Sequence, residues 1–183
     1  IWNVSWDKQS PRGQRVLDLL DADNSISKEK AMAVALNVYD LLGEAWQKAL
    51  KKAVDSVGAA MVKEDPLLAK AVDDILAWNR EYTPDAKGAP ILEAWRLKAD
   101  DAVDVAAVVK GEKLSDEAQK KLIELLAQTA ADLDKRFGPL ADLTWGTIHK
   151  VGRGGKFFPA PGADYGKGPD KIDFTETVFD VRS

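Results

Sequence analysis

His149 is the only histidine in the chain, and a lone imidazole cannot build a multi-histidine metal site or, without a neighbouring nucleophile, a triad. Two roles stay open for it: a general base, or a structural ring hydrogen-bonded under Trp145. The carboxylates that invite an acid-base reading are Asp73-Asp74, Asp100-Asp101 and Asp132 with Asp134. Adjacent residues on a helix do not face one another, so these pairs read as solvated helix surface. The run Lys48, Lys51, Lys52 reads the same way. Gly152-Arg153-Gly154-Gly155-Lys156 resembles a phosphate loop in composition only, because it lacks the Walker spacing and no strong strand precedes it. Six tryptophans, at positions 2, 6, 46, 78, 95 and 145, are suited either to lining a pocket for an acyl or aromatic group or to core packing; several fall on core-facing helical positions, which favours packing for most. With no cysteine in the chain, disulfides, thiolate metal sites and thiol nucleophiles are excluded within it.

Charge and length narrow the classes further. The 183 residues suffice for one domain with a real core, and 26 basic against 30 acidic side chains leave a net charge of −4. That balance gives no basic footprint for nucleic acid and no cationic stripe for an anionic membrane surface. Neither partner is expected. No apolar run approaches the roughly 20 residues that span a bilayer. The opening IWNVSWDKQS lacks a signal-peptide pattern and an initiator Met, the look of an excised or processed piece.

The elements that must position these residues are mostly helices. Ser10-Pro11 reads as a helix start, followed by the short apolar stripe Val16, Leu19, Leu20 and the polar turn Asp21–Asn24. A longer helix is expected from Ser27, with Met32, Leu36, Tyr39, Leu42, Trp46, Ala49 or Leu50, Ala53 and Val57 at helical steps and Gly43 as a point of bending or breaking. Asp65-Pro66 repeats the start signal, with Leu68, Val72, Ile75 and Leu76 behind it. Ile91, Leu92 and Trp95 mark another helix, and Ser115 with Asp116 and Glu117 caps the next, whose stripe Leu122, Leu125, Leu126, Thr129, Leu133 runs to a stop at Gly138-Pro139. The expected helices cover roughly 11–22, 27–60, 66–79, 90–109 and 115–137, with a strand only after about residue 171. The glycine- and proline-rich stretch after His149 reads as loop pinned by Phe157, Phe158 and Tyr165, and Ile172–Val181 as the strand.

Two segments carry a family resemblance. LDKRFGPLADLTWGTIH (Leu133–His149) stops a helix at Gly138-Pro139 and follows it with Trp-Gly-x-x-His; WDKQSPRGQRVLDLL (Trp6–Leu20) places arginines at the start of a helix. Together, in this order, they resemble the large (beta) subunit of penicillin acylases, a branch of the N-terminal-nucleophile hydrolases. The resemblance implies a mainly α chain with a late β-strand, in which residues 1–150 form the helical region and 151–183 a loop and strand returning to the core sheet of a larger four-layer αββα fold. It implies hydrolysis of amide bonds in N-acylated small molecules such as penicillins or acyl-homoserine lactones, by a Ser, Thr or Cys freed at a new N-terminus by self-cleavage.

Such a nucleophile uses its own α-amino group as base, so the resemblance takes the general-base role away from His149. Ile1 is not the nucleophile, and Asn3 stands too near Arg12 to match the family's oxyanion asparagine. What the resemblance does assign is Arg12, as the supporting active-site arginine; Arg15 is the match if the register is shifted. A planar, permanently charged donor there suits orienting an oxyanion-hole amide. The implied partners are the remaining acylase segments and a small acyl-amide substrate. No cofactor is expected in this chain, calcium belongs to other sequence of the complete enzyme, and the implied location is the periplasm or outside the cell. The rival reading is a non-catalytic helical binding or interaction domain.

Overall fold

The computed structural model describes residues 11–162 and the backbone of 177–179; the side chains of Pro11 and Arg12 lie outside that description. Its helices run in the order α1 (Pro11–Asp21), α2 (Lys28–Ala35), α3 (Gly43–Ala53), α4 (Ala59–Glu64), α5 (Pro66–Ala77), α6 (Gly88–Ala99), α7 (Val105–Lys110), α8 (Asp116–Phe137) and the single turn α9 (Trp145–Ile148). Strands β1 (His149–Arg153), β2 (Lys156–Pro159) and β3 (Thr177–Phe179) follow.

The longest helix, α8, is the axis of the core. Its Ser115 hydroxyl accepts from the Ala118 N–H, and Leu122, Leu125, Leu126, Thr129 and Leu133 are buried against α3, α5 and α6. The expected capped stripe is therefore the central one. Asp65 caps α5 through the N–H groups of Leu67 and Leu68, with Pro66 at the first position. Trp95 of α6 is fully buried and donates its indole N–H to the Leu122 carbonyl at 2.9 Å. Gly88 lets α6 start against α5: a Cβ there would stand 2.4 Å from the Asp74 carbonyl oxygen.

Two expected long helices are broken, both by short carboxylate or amide side chains that bond the backbone in place of the helix ladder. After α2, the Asn37 side chain accepts from the Tyr39 N–H at 3.3 Å and Asp40 from the Leu42 N–H at 2.9 Å. These local bonds hold 36–42 out of helix. Past α3, the five residues Val54–Gly58 form a π-helical turn before α4, where a Cβ on Gly58 would lie 3.0 Å from Ile123. In the second break, Asp104 accepts from the Ala106 and Ala107 N–H groups and so starts α7 separately from α6.

The other corrections lie at the two ends. Met32 is 53% and Leu36 72% exposed, and α2 buries nothing, so the expected core face begins only at α3. Leu20 is also exposed, while Val16 and Leu19 are half-buried. At the other end, the stretch read as loop after His149 is a hairpin: β1 pairs antiparallel with β2, from Lys150 opposite Pro159 to Arg153 opposite Lys156. Gly154 and Gly155, at φ of 61° and 78°, supply the two left-handed residues of its tight turn. Phe157 and Phe158 are exposed on β2 and pin nothing into the core. The late strand exists as β3 and pairs parallel with β1, His149 opposite Thr177. Tyr165 and most of 172–181 lie outside the described residues.

Candidate functional site

The site begins at the first turn of α1. Arg12 occupies that turn, and its side chain is outside the described residues. Arg15, one turn on, is half-buried; its guanidinium carbon lies 4.5 Å from the centroid of the Tyr39 ring and its Nε donates to the Asn37 side-chain oxygen at 3.4 Å. The same asparagine oxygen accepts the Tyr39 N–H. Arg80 brings a second guanidinium to within 5.5 Å of the same ring.

Tyr39 is presented on a fixed backbone. The Asp40 N–H donates to the Arg80 carbonyl at 2.8 Å and the Tyr82 N–H to Val38 at 3.1 Å, so residues 38–40 run beside 80–82 as a short antiparallel bridge. Behind it is a buried polar cluster. Arg96 of α6 donates to the Asp40 carboxylate, both side chains being nearly enclosed. Glu93 accepts the Tyr82 hydroxyl at 2.7 Å and lies 4.0 Å from Arg96. Charges are buried at acceptable cost only when they are paired, which is the arrangement here. The Gln47 amide adds a further tie, donating to the carbonyls of Ile75 and Trp78 at 2.7 and 2.8 Å.

Sequence reading missed this cluster because Asp40 and Arg96 are far apart along the chain. One signal was visible: Glu93 is the single acid inside the apolar run Ile91-Leu92-Glu93-Ala94-Trp95, where every residue is buried.

The Trp-Gly-x-x-His segment performs a different task. The His149 ring stacks on Trp145 at 5.1 Å and 18°, and Trp145 in turn meets Tyr82 at 4.8 Å. The His149 Nδ1 lies 2.9 Å from the Ala160 carbonyl. A carbonyl only accepts, so Nδ1 carries the proton. Trp145 donates its indole N–H to the Gly162 carbonyl at 2.8 Å. Gly146 donates to the Pro84 carbonyl at 2.7 Å, and a Cβ on it would stand 2.8 Å from Pro159 and 2.9 Å from the Pro84 oxygen. The motif fastens the hairpin onto the helices, and His149 is a structural ring.

The remaining candidates separate cleanly. Lys70 pairs with Asp74 and Lys98 with Asp132, while Asp134 accepts the Leu140 N–H. Lys48 pairs with Glu44 and Lys51 with Asp55. Trp46, Trp78, Trp95 and Trp145 are core; Trp2 and Trp6 lie outside the described residues. A cleft of about 750 Å³ opens between α3 and the α7–α8 connection, with Leu41, Ala49 and Val108 on its walls and Lys48, Lys52 and Lys113 at its rim. Among the described residues no three His, Cys, Asp or Glu side chains converge as metal ligands, and no helix is long and apolar enough to cross a membrane.

The model of the penicillin amidase family matches residues 2–176. The chain belongs to that family. Amide hydrolysis is the chemistry the family name denotes, and the match spans both the Arg12 segment and the Trp145 motif.

Proposed function

We propose that this chain is the helical region of the large subunit of an acylase that hydrolyses the amide bond of N-acylated small molecules, penicillin-like, acyl-homoserine lactone or related. The nucleophile lies outside the chain, in an αββα core completed by the remaining acylase segments, and the enzyme works in the periplasm or outside the cell. Arg12 supports the oxyanion site from the first turn of α1. The family match over nearly the whole chain carries the reading. The exposed apolar side chains Leu17 and Leu20 on α1, Met32 on α2 and Leu36 just after it support it as well, since apolar side chains left in the open are suited to cover by other segments of the enzyme.

Acyl transfer to water at a useful rate requires an activated nucleophile. Purified alone, the 183-residue chain is expected to leave a chromogenic N-acyl amide intact, and the complete processed enzyme to hydrolyse it. Turnover by the isolated chain, or none by the complete enzyme across penicillin-like and acyl-homoserine lactone substrates, overturns the proposal.

A further inference from the structure

We infer that Arg15, Asn37 and Tyr39 form a clamp that sets the rotation of α1 about its axis and thereby positions Arg12; this rests on the assignment of Arg12 above. Among the described residues of this chain, apolar packing alone does not fix α1, and a directional contact is needed to set its rotation. Its stripe is only half-buried at Val16 and Leu19, and Leu17 and Leu20 are 41% and 37% exposed. Nondirectional contact of that kind leaves the azimuth of a helix soft.

Arg15 supplies the directional contact. Its guanidinium stacks on Tyr39 at 4.5 Å while its Nε bonds Asn37, a face-on and an edge-on restraint on one planar group. Both partners sit in the segment that two Asx bonds keep out of helix and that backbone bonds tie to 80–82. That segment is anchored in turn by buried Asp40 on Arg96. Rigidity therefore runs from the core through Asp40 and Tyr39 to Arg15. Arg12 stands three positions before Arg15, the spacing of one helix face, so a turn of α1 displaces both together. The clamp also gives the broken helix a purpose, because a continuous helix through 36–42 would lack the Asx bonds that hold Asn37 and Tyr39 toward α1.

Arg15, Asn37 and Tyr39 are positioning residues under this inference. A displacement of about 1 Å in a reacting group costs on the order of 100-fold in rate, and loss of one restraint on α1 is expected to lower kcat roughly 10-fold, with KM little changed. The test is a double-mutant cycle in the complete enzyme, measured on one chromogenic acyl amide, with melting temperature recorded for every variant and Arg12→Lys in parallel. Arg15→Met and Tyr39→Leu are each expected to lower kcat by a similar factor, the double variant to fall no further than either, and Tyr39→Phe, which keeps the ring, to restore kcat. Additive losses overturn the clamp. So does an Arg15→Met loss far larger than that of Tyr39→Leu, which makes Arg15 itself the active-site arginine. If Arg12→Lys is inactive while Tyr39→Leu keeps its kcat, the clamp fails and the Arg12 assignment stands. A fully active Arg12→Lys removes that assignment and the clamp with it. A kcat loss in Tyr39→Leu that only tracks a lowered melting temperature also overturns the inference.

Discussion

A guanidinium offers a planar fork that an ammonium cannot reproduce, and the two arginines of α1 illustrate opposite uses of it. Arg15 spends its plane on Tyr39 and Asn37 within the chain. Arg12, in the proposed role, directs its donors at the oxyanion site. Losing one such donor removes about 3 kcal/mol of transition-state stabilisation, on the order of 100-fold in rate. Arg12→Lys is therefore expected to lower kcat/KM by that order with the melting temperature unchanged, and near-wild-type kcat/KM would refute the role. The buried pair is a second residue-scale case. Removing one partner of Asp40 and Arg96 leaves the other charge enclosed and alone, a loss of about 3–5 kcal/mol. Arg96→Met is expected to show it by chemical denaturation of the 183-residue chain, and a change under about 1 kcal/mol would mean that the pair is not load-sharing in the core. Residue types sorted part of the decoys: Asp73, Asp100, Asp101, Asp132 and the lysine run are exposed as their spacing suggested, whereas Asp74 is largely enclosed beside Lys70, Asp134 accepts the Leu140 N–H, and the glycine string turns a hairpin. The Asp40–Arg96–Glu93–Tyr82 cluster was not readable, because it is made by tertiary contact across loops.

At the scale of elements, capping signals were the most legible. Ser115 and Asp65-Pro66 start α8 and α5 where the sequence places them, since a cap is a local bond. The long helices expected over 27–60 and 90–109 were misread for a related reason: helical periodicity persists through a break when the next helix resumes in phase, and the interruption is signalled only by single residues, Asn37, Asp40 and Asp104 together with Gly43, at which α3 begins. The hairpin after His149 was missed because its glycines were taken as loop composition when two of them make the turn. Glu117 provides a pH test of a cap. Its carboxyl is held below the ordinary value of 4.5, first by its own backbone N–H and then by the Ser115 hydroxyl. A depressed folded value stabilises the protein fully above the unfolded value and loses that contribution as pH falls through the folded one. The melting-temperature gap between wild type and Glu117→Gln should shrink below pH 4.5, and a gap that widens on acidification would contradict the cap. Gly146 tests the fastening of the hairpin. With backbone oxygen and Pro159 inside contact distance of any Cβ, Gly146→Ala is expected to destabilise by about 1–3 kcal/mol; an unchanged melting temperature would show that the Trp145 motif is not a tight joint.

At the scale of the molecule, the described residues form a helical bundle around α8 with a small sheet fastened at one end. The rigid core stops at the bridge of 38–40 with 80–82, and α1 extends from it carrying Arg12. Such a body can hold one supporting group steadily against a centre assembled by other segments, which is the central claim. Covalent trapping tests it most directly. The complete enzyme is treated with a sulfonyl fluoride or another electrophile that captures an activated nucleophile, inactivation is followed to completion, and the modified peptide is located by mass spectrometry. The account predicts a single adduct on an N-terminal Ser, Thr or Cys outside these 183 residues, with inactivation proportional to labelling. An adduct on any residue of this chain that tracks the loss of activity would contradict it.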